Sequence, residues 1–232
     1  MKSQEDPTTH NKLTLARETA SLRQQVVTAI RDAILFGGLA PGQKLSEREL
    51  CANLGVSRTL LREGLQQLQA EGLIVNVMHK GPSVASLTRE QARDIYKVRG
   101  SLEALAAKEF TQNATNDQRK LLAQRLKDIK KAGTQNDSHD LVKAKNAFYD
   151  VLISGCGNAV VGQMLTTLNN RVTILRRQSL ATPGRLSKSL EELQAILKAI
   201  EAGDGDLAGQ LCAQHVDNAA DIVLSQFSKP RK

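Results

Sequence analysis

Two sets of residues in this 232-residue chain have the types and spacing to do chemistry. The first is Arg58, Arg62, Gln66 and Gln69, spaced i, i+4, i+8 and i+11, which puts them on one helical face opposite Leu61, Leu65 and Leu68. Such side chains read base edges: an arginine pairs bidentately with guanine O6 and N7, a glutamine with adenine. Ser57 and Thr59, with the helix N-terminus, suit phosphate oxygens, and Arg48 can reach either target. The second set is Arg99, Lys145, Tyr149 and His215. Lys145 shares a helical stripe with Leu141, Phe148 and Leu152, and His215 shares one with Leu207, Leu211, Ala219 and Val223. Arg99 flanks the stripe Ile95, Val98, Leu102 and Leu105. A buried charge with no partner is costly, so Lys145 needs an acid or a bound anion. If the four residues converge, their chemistry is charge-assisted hydrogen bonding to a carboxylate or another small anion. The alternatives are an ion pair of Lys145 with Glu103, Glu109 or another nearby acid, a lysine that snorkels to water, and a core histidine at 215. Arg171, Arg176 and Arg177 read as a solvated basic face, with an inward-turned Arg171 as the alternative.

The elements that position these residues follow from periodicity and turn signals. Residues 1–20 are polar and read as a tail. From Leu22 a helical period runs through Val26, Val27, Ile30, Ala33 and Ile34, and Gly37-Gly38 and Pro41-Gly42 end it. Ser46 and Glu49 form an S-x-x-E start signal for a short helix closed by Gly55. Ser57 caps the next helix, which Gly72 ends. The segments 73–77 and 83–85, around His79-Lys80-Gly81-Pro82, read as a hairpin. Three helices and a hairpin make a winged helix-turn-helix over 21–86. Beyond Leu87 only helical periods appear, at about 88–112, 115–133, 137–156, 158–181, 186–203 and 204–227. The fold class expected is therefore mostly α: an N-terminal winged helix-turn-helix, then an antiparallel all-helical bundle of six helices over 87–228, with a basic tail at 229–232.

Composition narrows the function classes. The net charge is +8, which favours acidic partners such as DNA. However, residues 1–86 carry ten Lys/Arg against eight Asp/Glu, and the remainder carry twenty-two against sixteen. The excess thus lies away from the DNA-reading helix, and DNA binding rests on the motif. No Trp, two Tyr and four Phe argue against a surface that stacks bases. Cys51, Cys156 and Cys212 form no CxxC pair and read as small hydrophobes. Neither a signal peptide nor a membrane span is evident, so a cytoplasmic bacterial protein without a membrane partner is expected. His139-Asp140 is the one pair that hints at an enzyme, but no second His/Asp cluster, nucleophile motif or phosphate loop accompanies it.

The run AILFGGLAPGQKLSERELCANLGVSRTLLREGLQQLQAEGLI with the turn HKGPSVA resembles the DNA-binding domain of GntR-family regulators. The resemblance implies that Arg48, Arg58 and Arg62 contact DNA, that Ser57 and Thr59 contact phosphate, and that Lys80 and Gly81 form a wing tip entering the minor groove. Two departures are Leu60-Leu61, where the family commonly has Pro-Val, and Gly64, where it commonly has Ala.

The segments IYKVRGSLEALAA, AFYDVLISGCGN and ELQAILKAIEAGDGDLAGQLCAQHV resemble the FCD-type effector domain of the FadR subfamily, in its shorter VanR-like branch. Many such domains hold a divalent metal through one Asp and three His. Here those positions are Lys145, Tyr149, Leu193 and His215, and one remaining ligand cannot hold a zinc. No metal or other cofactor is expected. The expectation is a ligand-responsive regulator, a repressor in sign, that binds a palindromic double-stranded DNA operator as a homodimer and senses a small anion. The alternative is an architectural DNA-binding protein with no effector.

Overall fold

The computed structural model describes residues 17–78, 81–135 and 138–227. Lys80 and the 229–232 tail lie outside these residues. Helix α1 (Arg17–Leu35) begins inside the segment expected to be a tail, where Arg17, Glu18 and Ala20 are good helix formers with no breaker among them. It buries Val26, Val27, Ile30 and Ile34 but leaves Leu22 exposed. Helix α2 (Glu47–Leu54) starts where Ser46 Oγ accepts the Glu49 N–H, and it stops at Gly55, whose φ of 65° suits glycine. Helix α3 (Arg58–Ala70) is capped by Ser57 and buries Leu60, Leu61, Gly64, Leu65 and Leu68. A β-carbon at Gly64 would stand 3.1 Å from Val26 Cγ1, so glycine here lets α3 lie close against α1.

Strands β1 (Ile74–Val77) and β2 (Gly81–Val84) pair antiparallel, Ile74 opposite Val84 and Val77 opposite Gly81. Gly81 and Pro82, expected in the turn, therefore belong to the second strand. Lys44 adds a bridge to Ser83, and Leu45 N–H bonds Pro82 O at 2.9 Å, tying the wing to the turn before α2.

The remaining elements are α4 (Arg89–Asn113), α5 (Asn116–Thr134), α6 (Ser138–Gly155), α7 (Ala159–Leu180), α8 (Arg185–Glu201) and α9 (Gly205–Gln226). Complete capping boxes start α4, at Thr88/Gln91, and α5, at Thr115/Gln118. The main core gathers Phe110, Leu122, Ile129, Phe148, Leu152, Leu193, Ile196 and Ile200 from α4, α5, α6 and α8. Mostly helical architecture, with a small antiparallel sheet confined to the winged unit, is thus what the chain adopts.

Helix α7 joins the two regions. Its Ile174 is part of the winged unit's core, with Leu61, Leu65, Leu68 and Leu73. Asn170 Nδ2 donates to Glu71 Oε2 at 2.9 Å, and Glu71, at the end of α3, also holds Arg31 of α1 at 2.6 Å. The Arg171 guanidinium lies against the backbone of Gly72, leaving no room there for a β-carbon. Phe36, just past α1, packs against His139 of α6 with ring centroids 3.8 Å apart and the rings tilted by 52°.

Candidate functional site

The outer face of α3 has the geometry of a DNA reader. Ser57, Arg58, Thr59, Arg62, Gln66 and Gln69 are all exposed, as is Arg48 on α2, while the leucines opposite are buried. The amphipathic pattern forces this, because α3 must bury its leucine stripe against α1. Ser57 Oγ already accepts the Leu60 N–H, so it serves as helix cap as well as phosphate candidate. Arg62 is not free. Its Nε stands 3.0 Å from Glu47 Oε2 and its Nη2 also 3.0 Å from that oxygen, which braces α3 on α2. The Arg62 side chain is still 67% exposed, so it can exchange this acid for a phosphate or a base. Gly81, at φ 80°, opens the second strand at the base of the wing loop.

The second set of residues lies inside the helical bundle. Arg99, Lys145 and His215 are 3%, 3% and 2% exposed, and Tyr149 is 1% exposed. Arg99 forms a bidentate pair with Glu103, Nε to Oε1 at 2.5 Å and Nη2 to Oε2 at 3.2 Å. This differs from the expected stripe on α4. Ile95 is buried and Leu102 packs against the core as expected, but Val98 and Leu105 are exposed, and the buried face runs through Ala92, Tyr96, Arg99, Glu103, Ala106 and Phe110. Three of these six are polar, which hides the face from a hydrophobic pattern. The upper end of the α9 stripe also differs, since Leu207 is 42% exposed.

Lys145 takes neither expected acid. Its Nζ donates to Ser189 Oγ at 2.6 Å. Burial, reinforced by Arg176, Arg185 and Arg99, pushes its pKa well below the usual lysine range. His215 Nδ1 hydrogen-bonds Glu192, whose carboxylate also lies 2.8 Å from Arg185 Nη1 and accepts from Asn218 Nδ2 at 2.8 Å. Burial, aided by Lys145, pushes His215 down to about 3, so the neutral ring donates to the carboxylate. The hydrogen bonds from His215, Arg185 and Asn218 overcome burial and hold Glu192 at about 2.

Four members of this cluster had no signal in the sequence pattern: Arg176, Arg185, Ser189 and Glu192. Arg176 corrects an expectation, because it is buried rather than part of a solvated basic face with Arg171 and Arg177. Its guanidinium carbon stands 4.5 Å from the Tyr149 ring centre, and its Nη1 donates to Asn146 Oδ1. The Tyr149 ring shields this charge, which forms no ion pair among the described residues. The buried hydroxyls of Tyr96 and Tyr149 make no hydrogen bond to the described residues. Beside the cluster, a cavity of about 10 Å³ is lined by Arg99, Glu103 and Tyr149, room for about one water. A cleft of about 610 Å³ opens nearer the surface between Leu141, Val142, Leu180, Pro183 and Leu186. Leu141 is one helical turn before Lys145, and Leu186 adjoins Arg185.

The positions that bind metal in related domains do not fit a cation here. Lys145 brings a positive head group, Leu193 brings no donor, and His215 Nδ1 is committed to Glu192. Arg176 and Arg185 add further positive charge close to Lys145. Among the described residues no group of three or more His, Cys, Asp or Glu could hold a metal, and no helix is long and apolar enough to cross a membrane.

Comparison with known proteins separates the same two regions. Residues 22–84 match the family described as bacterial regulatory proteins, gntR family, and residues 94–218 match the FCD domain. The chain is 28% identical over 201 residues to the probable D-xylose utilization operon transcriptional repressor of Paenarthrobacter nicotinovorans, spanning 84% of this chain and 87% of that protein. It is 24% identical over 205 residues to the transcriptional repressor RspR of Escherichia coli, spanning 88% and 90%. Among solved structures, E. coli McbR/YncC superposes with a TM-score of 0.79 at 21% identity, covering 89% of this chain and 98% of that one. A GntR regulator from Rhodococcus sp. RHA1 gives a TM-score of 0.76 at 24% identity, covering 88% and 98%. At these identities the structural likeness is one of fold.

Proposed function

Because the chain belongs to the GntR family of bacterial transcription regulators and carries an FCD effector domain, we propose that it is a homodimeric repressor that binds a palindromic operator and is released by a small carboxylate. The observation that carries the effector class is Lys145, a fully buried cation whose hydrogen-bond partner is a serine hydroxyl rather than an acid. A carboxylate docking there gains charge-assisted hydrogen bonds from Lys145 and the Tyr149 hydroxyl, with Arg99 and His215 positioned behind them. On the DNA side, Arg58 reads a base, Ser57 and Thr59 hold phosphate, and Arg48, Arg62, Lys80 and Gly81 complete the contact with helix and wing. The DNA-binding unit is taken as 21–86 and the effector and dimer unit as 87–228.

Repression follows the sign of the two relatives named as repressors. Dimerisation follows from the limited DNA that one winged helix contacts, and from the two-fold symmetry of operators read by such units. Exposed Val98 and Leu105 on α4 and Val160 and Met164 on α7 provide apolar surface for it in the helical half. The test combines sedimentation with titration of operator DNA. A dimer that binds one palindrome and leaves it on addition of a carboxylate supports the reading. A monomer at micromolar concentration, with and without DNA, removes the dimer. Sequence-indifferent binding with no carboxylate response points instead to an architectural protein.

A further inference from the structure

The charges buried around Lys145 do not balance. The bundle interior holds four cations on four helices: Arg99 on α4, Lys145 on α6, Arg176 on α7 and Arg185 on α8. Two acids pair with them, and a third, Asp150 on α6, feels the Arg176 charge without forming an ion pair with it. Glu103 is taken in a bidentate pair by Arg99, and Glu192 is taken by Arg185, His215 and Asn218. Lys145 and Arg176 remain, each bonded only to a neutral oxygen, Ser189 Oγ and Asn146 Oδ1 respectively. The two cations are close to each other. Asn146 adjoins Lys145 in the chain, Tyr149 lies one turn further on the same helix, and Arg176 touches both Asn146 and Tyr149. The hydroxyls of Tyr96 and Tyr149, whose rings stand 5.7 Å and 5.3 Å from the Arg99 guanidinium, are buried and find no hydrogen-bond partner among the described residues.

Burying two basic side chains next to each other with no ion-pair partner is unfavourable, which is what pushes the Lys145 pKa down, and one negative charge would pair with only one of them. The two heads also differ in kind. Arg176 presents a planar fork suited to a carboxylate's two oxygens, whereas Lys145 presents a point charge. They project from different helices, which suits two separate anionic groups better than one compact one. The charge count and geometry point to a short dicarboxylate as the ligand of this site, one carboxylate on Arg176 and the other on Lys145, with the tyrosine hydroxyls donating to their remaining lone pairs. The inference rests on the carboxylate-effector reading and specifies how many carboxylates that effector carries.

The experiment is calorimetric titration of the full-length protein with succinate, with butyrate (the same carbon chain with one carboxylate fewer), and with inorganic phosphate, at matched ionic strength. Succinate is expected to bind about 10–100-fold more tightly than butyrate, the value of one added charge-assisted contact. In Lys145→Met and in Arg176→Met that advantage should collapse to within about threefold, through loss of succinate affinity rather than gain for butyrate. Melting curves establish that each variant is folded, and Lys145→Gln or Arg176→Gln replaces one that is not. Butyrate binding as tightly as succinate overturns the dicarboxylate but leaves a carboxylate site. Phosphate binding more tightly than succinate overturns it in favour of a compact dianion. If none of the three binds, the carboxylate-effector reading falls and this inference falls with it.

Discussion

The arginines of the winged unit and those of the helical bundle live in opposite environments. Arg48, Arg58 and Arg62 stand in water on α2 and α3, whereas Arg99, Arg176 and Arg185 lie within a few per cent of complete burial. An exposed arginine is already solvated, so it can wait without cost for a polyanion that supplies many weak contacts. A buried one has lost its water and must find a partner inside the protein or in a ligand. Family resemblance names the first kind. The second is recognised by asking which buried charges lack an opposite charge, and that question needs coordinates.

The sharpest way to break this contrast is to remove an acid from the buried set. Glu103→Ala removes the ion-pair partner of Arg99, and we expect a loss of about 3–5 kcal/mol in denaturant unfolding. A loss under about 1 kcal/mol would mean that water reaches Arg99 and that the cluster is not dry.

Acid titration probes the same interior. His215 is pushed down to about 3 from 6.5, so between those values the unfolded chain binds a proton that the folded chain does not, and stability rises with pH. Glu192, held at about 2 against 4.5, acts with the same sign: its stabilisation is present above 4.5 and lost as pH falls toward 2. The melting temperature should therefore fall steadily from pH 6.5 to 3, and His215→Gln should flatten the part above about pH 5. A wild-type melting temperature constant down to pH 4 would show that His215 is not held neutral.

Removing a buried cation that has no acid partner should have the reverse effect on stability. Lys145→Met keeps the stem, discards the charge, and is expected to raise ligand-free stability by about 1–4 kcal/mol. A destabilised variant would show that the Ser189 contact outweighs the burial cost.

On the exposed side the expected effects appear in DNA binding and not in melting. Arg58→Ala should cost about 1–3 kcal/mol at one operator position and leave stability within about 0.5 kcal/mol. Lys80→Ala should weaken binding evenly across sequences and lower its salt dependence. Equal losses for Arg58→Ala on operator and random DNA would remove its base-reading role. The smallest effect is expected at the brace: Glu47→Gln releases Arg62 and should change affinity by no more than about 1 kcal/mol, measured by fluorescence anisotropy.

The two regions also differ in how far the sequence reveals them. In the winged unit, turn glycines, Ser caps and leucine spacing all point to the same elements, and the observed helices and hairpin follow within a few residues. The exposed stripe on α3 is legible because each of its members is polar and the residues opposite are leucines and one glycine. In the bundle the helices are equally legible, but the site is not. Arg99, Lys145, Tyr149 and His215 stood out as polar residues on or beside apolar stripes. Arg176, Arg185, Ser189 and Glu192 resemble the solvated faces of ordinary helices, and only the packing of α7 and α8 onto α6 and α9 turns them inward. On α4 the polar residues are themselves the buried face, so a hydrophobic pattern selects Val98 and Leu105, which face out.

Helix α7 bears on how such regulators exchange sensors. Ile174 fills the winged unit's core and Asn170 holds the end of α3 at Glu71, a partner 99 positions earlier in the chain. A chimaera spliced after Leu87 therefore inherits a DNA reader with a hole in its core and one fewer bond on Glu71. A successful transplant has to carry over the face of α7 that touches the reader, so the seam between reader and sensor is a surface rather than a point in the chain.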